Sequence, residues 1–180
     1  MSLNLVLPNK KYLKSVYEAV GEYQATPLRF DISDVRQMIE ATKNNFADYF
    51  QTVQNQSLGI GLKEGYVPST TCWLVEGLKY IGTFTLRHRL TPNLEKIGGH
   101  IAYEIRPLER RKGYGYQGLK LCLKEAAQRG IKQVLITCNA ENTASYALIH
   151  KAMLEYGGLE LEQIKLDNGF EKRIWVKTEK

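Results

Sequence analysis

Apolar positions fall first at helical and then at alternating spacing along this chain. Tyr12, Leu13, Val16, Tyr17, Val20 and Tyr23 recur with a helical period, and Val35, Met38, Ile39, Thr42, Phe46, Tyr49, Phe50 and Val53 do the same. Both stripes predict amphipathic helices, the second opened by an N-cap at Asp31 or Ser33. Aromatic stripes of this kind belong to a core. Gly59, Gly61, Gly65 and Pro68 then predict a loop. From residue 70 the pattern changes. Residues 71–75 read as a strand, and Glu76-Gly77 begins a turn. Residues 80–88 read as a second strand, with Tyr80, Phe84 and Leu86 on one face. A polar connection containing Pro92 leads to a third strand over 98–106, ended by Pro107. Residues 115–128 predict a helix with Tyr116, Leu119, Leu123, Ala126 and Ala127 on its apolar face, and Gly130 suits its C-terminus. Residues 133–138 form an apolar run fit for a strand covered on both faces. A further helix spans about 142–155 and is broken at Gly157-Gly158. Two last strands, about 159–166 and 170–176, flank Asp167-Asn168-Gly169, a hairpin turn signal.

Helices, then strands, then strand-helix-strand-helix-strand-strand make a mixed α/β or α+β domain around one sheet. The strand-helix-strand unit over 98–138 should be parallel and right-handed. The 180 residues suit one soluble domain over 1–180, a helical part at 1–58 and a core at 59–180, because two separate cores would each be small. No stretch approaches the ~20 apolar residues of a membrane span, and residues 1–8 lack the basic and apolar regions of a signal peptide. A cytoplasmic protein without a membrane partner is expected. Cys72, Cys122 and Cys138 lie far apart in apolar runs, which predicts buried reduced thiols rather than disulfides or a metal site. No metal is expected.

Charge changes the picture by its placement. Residues 106–132 hold eight basic side chains (Arg106, Arg110, Arg111, Lys112, Lys120, Lys124, Arg129, Lys132) against Glu109 and Glu125, which accounts for the whole net charge of +6. A site for an anionic ligand would explain that concentration; a solvated helix face is the plain alternative. The excess is one short segment, not a long stripe with interleaved aromatics, which argues against a nucleic-acid partner.

Within the segment, Gly113-Tyr114-Gly115-Tyr116-Gln117-Gly118 matches G-x-G-x-x-G, the dinucleotide fingerprint. The context does not. In that fold the first glycine follows its strand directly, whereas six residues separate Arg106 from Gly113 here. The next strand ends on Asn139 and Ala140, where a ribose-binding acid should stand. The same residues also read as R-x-x-G-x-G through Arg110, Gly113 and Gly115. Helix N-termini present unpaired N–H groups and a positive dipole end, and glycine lets that backbone approach a pyrophosphate. Arg110, Arg111 and Lys112 add positive charge.

The flanks narrow the reading. Residues 103–119, Tyr-Glu-Ile-Arg-Pro-Leu-Glu-Arg-Arg-Lys-Gly-Tyr-Gly-Tyr-Gln-Gly-Leu, resemble the fourth strand, loop and third helix of the GNAT acetyltransferase superfamily. Residues 137–145 are similar to its fifth strand and the start of its fourth helix, with Asn142 and Ser145 matching an N-x-x-S element. Residues 65–68, 86–90 and 98–103 look like a bacterial branch described as predicted acetyltransferases. The resemblance covers about 60–177. It implies a GNAT-like domain with a central mixed, splayed sheet of about six to seven strands flanked by helices. It further implies acetyl-CoA as co-substrate and direct acetyl transfer to a primary amine on a small molecule or peptide. A homodimer is compatible with it, and a catalytically silent acyl-CoA-binding module is the alternative.

Carried over, backbone groups of Tyr103, Glu104 and Ile105 would pair with the pantetheine arm, and an N–H there would stabilise the oxyanion. Amides of residues 111–116, so Arg111, Lys112, Gly113, Tyr114, Gly115 and Tyr116, would hold the pyrophosphate. Asn142 would hydrogen-bond the arm or cap its helix. His100 and Glu104 are the candidate bases, and their parity predicts one shared face. His88 suits packing or substrate orientation. The family's acid is a tyrosine placed by the asparagine and by the glycine that ends the fourth helix. Here those rules give Ile149 and Met153, and Tyr146 fits neither, so water would protonate the leaving thiolate.

Overall fold

The computed structural model describes residues 2–26, 33–167 and 169–180. The chain opens with β1 (Leu3–Val6), then α1 (Leu13–Ala25), α2 (Ser33–Lys43) and α3 (Phe46–Leu58). Strands β2 (Ser69–Glu76) and β3 (Lys79–Arg87) follow, then the short α4 (Pro92–Lys96) and β4 (Ile101–Ile105). The remainder is α5 (Tyr114–Gln128), β5 (Gln133–Asn139), α6 (Thr143–Tyr156), β6 (Gly158–Leu166) and β7 (Gly169–Lys177).

The sheet is divided. Four strands lie in the order β1-β2-β3-β4 and three in the order β5-β7-β6, and each pairing is antiparallel. The crossover from β4 through α5 to β5 is present, but β4 and β5 form no ladder. This division places the site described below.

Two cores back the first sheet. On one face, α5 and α6 pack Leu119, Leu123 and Ile149 against Ile81, Phe84, Ile101 and Ile105, together with Val134, Ile136, Ile174 and Val176 of the second sheet. On the other, α1–α3 pack Val16, Val20, Tyr23, Val35, Met38, Tyr49 and Val53 around Trp73, Val75 and Tyr80. Trp73 lies fully buried, stacked on Tyr49 with ring centroids at 6.1 Å and edge-on to Tyr80 at 5.7 Å. Aromatic area of this kind dominates such a core.

Several expectations change. The single helical stripe over 35–53 is two helices, because Asn45 takes extended backbone and its side chain accepts from Ala47 N–H as the N-cap of α3. Of the caps expected for α2, Asp31 lies outside the described residues and Ser33 is the first helical residue. Asn168 of the hairpin turn also lies outside them. Tyr80 does not share a face with Phe84 and Leu86. The register of β2 against β3 shifts between Leu74 and Val75, and this bulge turns Ile81 toward α5 and Tyr80 toward α1. The buried face of α5 runs through Gly118, Leu119, Cys122, Leu123 and Ala126. A Cβ on Gly118 would stand 2.3 Å from Phe84, so this glycine permits close contact of helix and sheet. β1 and α4 were not legible as elements; each is short, and β1 has one partner strand.

Candidate active site

The site is built around β4. Its register against β3 runs from Gly82↔Ile105 to Leu86↔Ile101. At the two flanks Arg87 N–H donates to His100 O (2.7 Å) and Arg106 N–H to Ile81 O (2.9 Å). Antiparallel bonding alternates, so Ala102 and Glu104 bond to β3, and main-chain groups of Ile101, Tyr103 and Ile105 turn to the other edge. β5 reaches that edge at one end. His100 N–H donates to Leu135 O (2.6 Å), and Leu135 N–H donates to His100 Nδ1 (2.9 Å). Gly99, at φ 56°, makes the approach feasible, since a Cβ there would lie 2.4 Å from Leu135 O. Past this point no strand lies along the edge among the described residues. Tyr103 instead stacks on Phe84 at 5.3 Å, and its hydroxyl is 2.7 Å from Ser145 Oγ at the start of α6.

The loop that leaves β4 leads into α5. Arg111 (φ 64°) and Gly113 (φ 84°) are left-handed, a local geometry that curls successive N–H groups toward one side. Gly113 is the N-cap of α5 and no side chain caps this end. N–H groups of Tyr114, Gly115 and Tyr116 therefore precede the first intrahelical donor, Gln117 N–H to Gly113 O (3.2 Å). A Cβ on Gly115 would stand 2.8 Å from the Leu148 side chain, so that glycine lets α5 and α6 converge.

Part of the positive charge is neutralised within the protein. Arg106 is buried on Glu22 of α1 and also donates to Ser15 Oγ and Tyr80 O, each at 3.0 Å. Lys79 (2.5 Å) and Lys112 (3.1 Å) flank buried Glu109. Burial alone would raise the Glu109 carboxyl, but the two ammonium groups outweigh it and hold it below the usual range. Arg110 turns back to β4, donating to Ile105 O (3.1 Å) and Glu104 Oε1 (3.0 Å). Arg111 is exposed at the mouth of the loop.

The two candidate bases sit in different settings. The His100 ring lies 5.9 Å from the Trp175 ring. Burial, helped by Arg87, lowers its pKa to about 4. Its Nδ1 accepts from the main chain, which the neutral ring alone can do. Glu104 points toward Tyr23 and Tyr80, and burial raises its pKa against the opposing pull of Arg110. His88 bonds Thr70 Oγ1 through Nε2 (2.8 Å), and Thr70 in turn meets Ser57 Oγ (2.9 Å), a packing position at the strand end.

On α6, Asn142 Oδ1 accepts from Ser145 N–H (3.1 Å) as the N-cap. Ile149 is core and Met153 packs beside it. The Tyr146 hydroxyl donates to Glu160 (3.1 Å) beneath Lys172. The three cysteines are free thiols, and burial raises Cys72 and Cys138 to about 11. Sequence reading used Tyr103 for its backbone alone and missed its hydroxyl; strand alternation next to Glu104 was the available signal. It also missed Tyr23, whose buried hydroxyl lies beside Tyr80 and within the field of Glu104. A helical aromatic stripe carries no mark that one member's polar end faces a site.

Comparison with known proteins agrees with this geometry. Among curated proteins a sequence search finds no match. Solved structures share the fold at low identity. A microcin C7 self-immunity acetyltransferase in complex with acetyl-CoA and AMP matches with a TM-score of 0.59 at 17% identity, over 96% of this chain and 90% of that one. A ribosomal L7/L12 alpha-N-protein acetyltransferase in complex with coenzyme A matches at 0.59 and 13%, over 97% and 93%. A chimera of the Vibrio cholerae spermidine N-acetyltransferase and hSSAT matches at 0.60 and 11%, over 99% and 96%. The family model for the acetyltransferase (GNAT) domain matches residues 11–154, most of the chain, and with the divided sheet and the open α5 terminus it establishes that this protein belongs to the GNAT acetyltransferase family.

Proposed function

We propose that this chain transfers the acetyl group of acetyl-CoA directly to a primary amine, with residues 1–180 acting as one domain. The observation that carries the reading is the edge of β4 at Tyr103 and Ile105, turned from β3 and adjoining a helix N-terminus without a side-chain cap. An extended arm can add to such an edge by main-chain hydrogen bonds. The N–H groups from Arg111 to Tyr116 suit a pyrophosphate, with Arg111 and Lys112 adding charge. Ser145 and the amide nitrogen of Asn142, at the start of α6, would donate to the arm. Acetyl-CoA, when bound, supplies an activated thioester.

The protein's own groups do the remainder. Glu104 takes a proton from the acceptor ammonium; its raised pKa brings it nearer to neutral pH, where a base works best. An N–H of the β4 edge receives the charge that develops on the acetyl oxygen. The Tyr103 hydroxyl or water returns a proton to the leaving sulfur. His100, held by Leu135, keeps β5 against β4 and leaves the base to Glu104. The acceptor is an amine on a small molecule or a peptide. The similar structures act on spermidine and on a protein N-terminus, which frames the search.

One observation favours a second reading. Ile149 and Met153 stand where a tyrosine acid would serve transfer, as in an acyl-CoA-binding module without turnover. Acetyl-CoA turnover with spermidine, amino acids, aminoglycosides and short peptides, read as released thiol, tests both. Thiol release above the amine-free rate with one class supports transfer. Binding of CoA with no release from any class supports the silent module.

A further inference from the structure

Arg110 opens the string that reads as an anion loop, yet its guanidinium lies against β4. Nε donates to Ile105 O at 3.1 Å, and Nη2 donates to Glu104 Oε1 at 3.0 Å. One acceptor is a main-chain oxygen at the strand edge, and the other is the carboxylate directed toward α1. A planar guanidinium bonded to both fixes the side chain of Glu104 relative to the backbone that carries it. Arg110 is itself 33% exposed against 17% for Glu104, so solvent partly screens the pair. Around Glu104 stand Tyr23 from α1, Tyr80 from β3 and Tyr103 from β4. Arg106 is engaged by Glu22. Arg110 is thus the cation bonded to Glu104 among the described residues.

We propose that Arg110 is a positioning residue for Glu104, holding the carboxylate ionised and oriented on the acceptor side, and that phosphate binding falls to the N–H groups of α5 and to Arg111. This rests on the reading of Glu104 as base. Removing the guanidinium leaves a mostly buried carboxylate whose burial favours the neutral acid, and a neutral acid accepts no proton. The hydrogen bonds also tie the base to the loop that meets the donor, so order in that loop and the placement of Glu104 go together.

Arg110→Gln and Arg110→Lys test the assignment, with CoA alone as the probe. CoA affinity is read by calorimetry, and the Glu104 carboxyl by carbon-13 titration of glutamate-labelled protein, assigned with Glu104→Gln. We expect Arg110→Gln to bind CoA within about threefold of the wild type and to move the Glu104 titration up by about one unit or more. The Lys variant should restore most of that shift, and it carries the test if the Gln variant fails to fold. A loss of CoA affinity beyond about tenfold with the Glu104 titration unmoved would make Arg110 a phosphate ligand and overturn the proposal. If Glu104→Gln keeps full acetyl transfer, Glu104 is not the base, and the role of Arg110 toward catalysis falls with it. The titration shift in Arg110→Gln would still stand as an electrostatic fact.

Discussion

The two ends of β4 share one strand and one alternation, yet they do different work. At His100 the strand is closed: main chain and ring both bond Leu135, and Gly99 removes the side chain that would keep β5 away. Towards Tyr103 and Ile105 no strand pairs with that edge among the described residues; main-chain groups turn from β3, Arg110 meets Ile105 O, and the chain runs on from Arg106 into the loop before α5. A sheet edge is a row of unpaired donors and acceptors, and proteins usually cover it. Here it is closed at one end only. The difference teaches that one end of the strand is spent on holding β5, which leaves the other free for the ligand proposed above.

The largest way to break that comparison is to block the open end. Gly113→Glu forces a side chain onto φ 84° and puts a carboxylate at the N-terminus of α5. We expect CoA affinity to fall by about a hundredfold or more in calorimetry, with the fold checked by circular dichroism. Unchanged affinity in a folded variant would detach the donor from this loop. Next, Glu104→Gln should lower kcat by about 10² to 10⁴, the range of general-base catalysis, while CoA affinity holds. A kcat within about threefold of wild type, in an assay with any accepted amine, removes Glu104 from the proton path.

The closed end should answer to pH rather than to substrate. His100 is nearly buried and its folded pKa of about 4 lies below the ordinary 6.5. Between those values the unfolded chain binds the extra proton, so stability rises with pH there and is lost as pH falls. One group with this shift costs the fold roughly 2 kcal/mol between pH 7 and pH 5. Glu104 and Glu171, raised by burial, act in the opposite sense over the acid range. The difference between wild type and His100→Gln isolates the histidine. A glutamine oxygen can still accept from Leu135, so the variant should fold and show a flatter profile of urea midpoint against pH. Parallel profiles would contradict the burial of the ring.

Much of this site could be read from residues alone, and for stated reasons. The glycines at 113 and 115 and the basic run point to an anion loop, although the same letters fit a dinucleotide fingerprint until the flanking residues are read. Strand parity predicts one face for His100 and Glu104; in the structure the first meets Leu135 and Trp175, and the second meets Arg110 near Tyr23 and Tyr80. Their separation into lock and base was hidden, because it depends on Leu135, thirty-five residues on in the chain from His100. Likewise, the basic run could not show that Arg106 meets Glu22 or that Arg110 turns back to Glu104. Pairings across the fold decide which charges remain for a ligand. The bulge that rotates Tyr80 away from Phe84 was equally hidden, since a single extra residue leaves no trace in a short alternating run.

The smallest effect sharpens a second contrast, between the starts of α5 and α6. The first has no side-chain cap, whereas Asn142 caps the second through Oδ1. One amide can cap and still donate from its nitrogen, so the two roles are separable. Asn142→Ala should cost about 1 kcal/mol of stability for the lost cap. Asn142→Asp keeps an accepting oxygen and adds a charge that favours a helix N-terminus, so stability should return. It has no donor, so CoA affinity should stay down by roughly fivefold, the value of one neutral hydrogen bond. Thermal melts and calorimetry on the pair separate the two. If Asp restores both stability and affinity, Asn142 is a cap alone, and the donor's contacts at α6 reduce to Ser145.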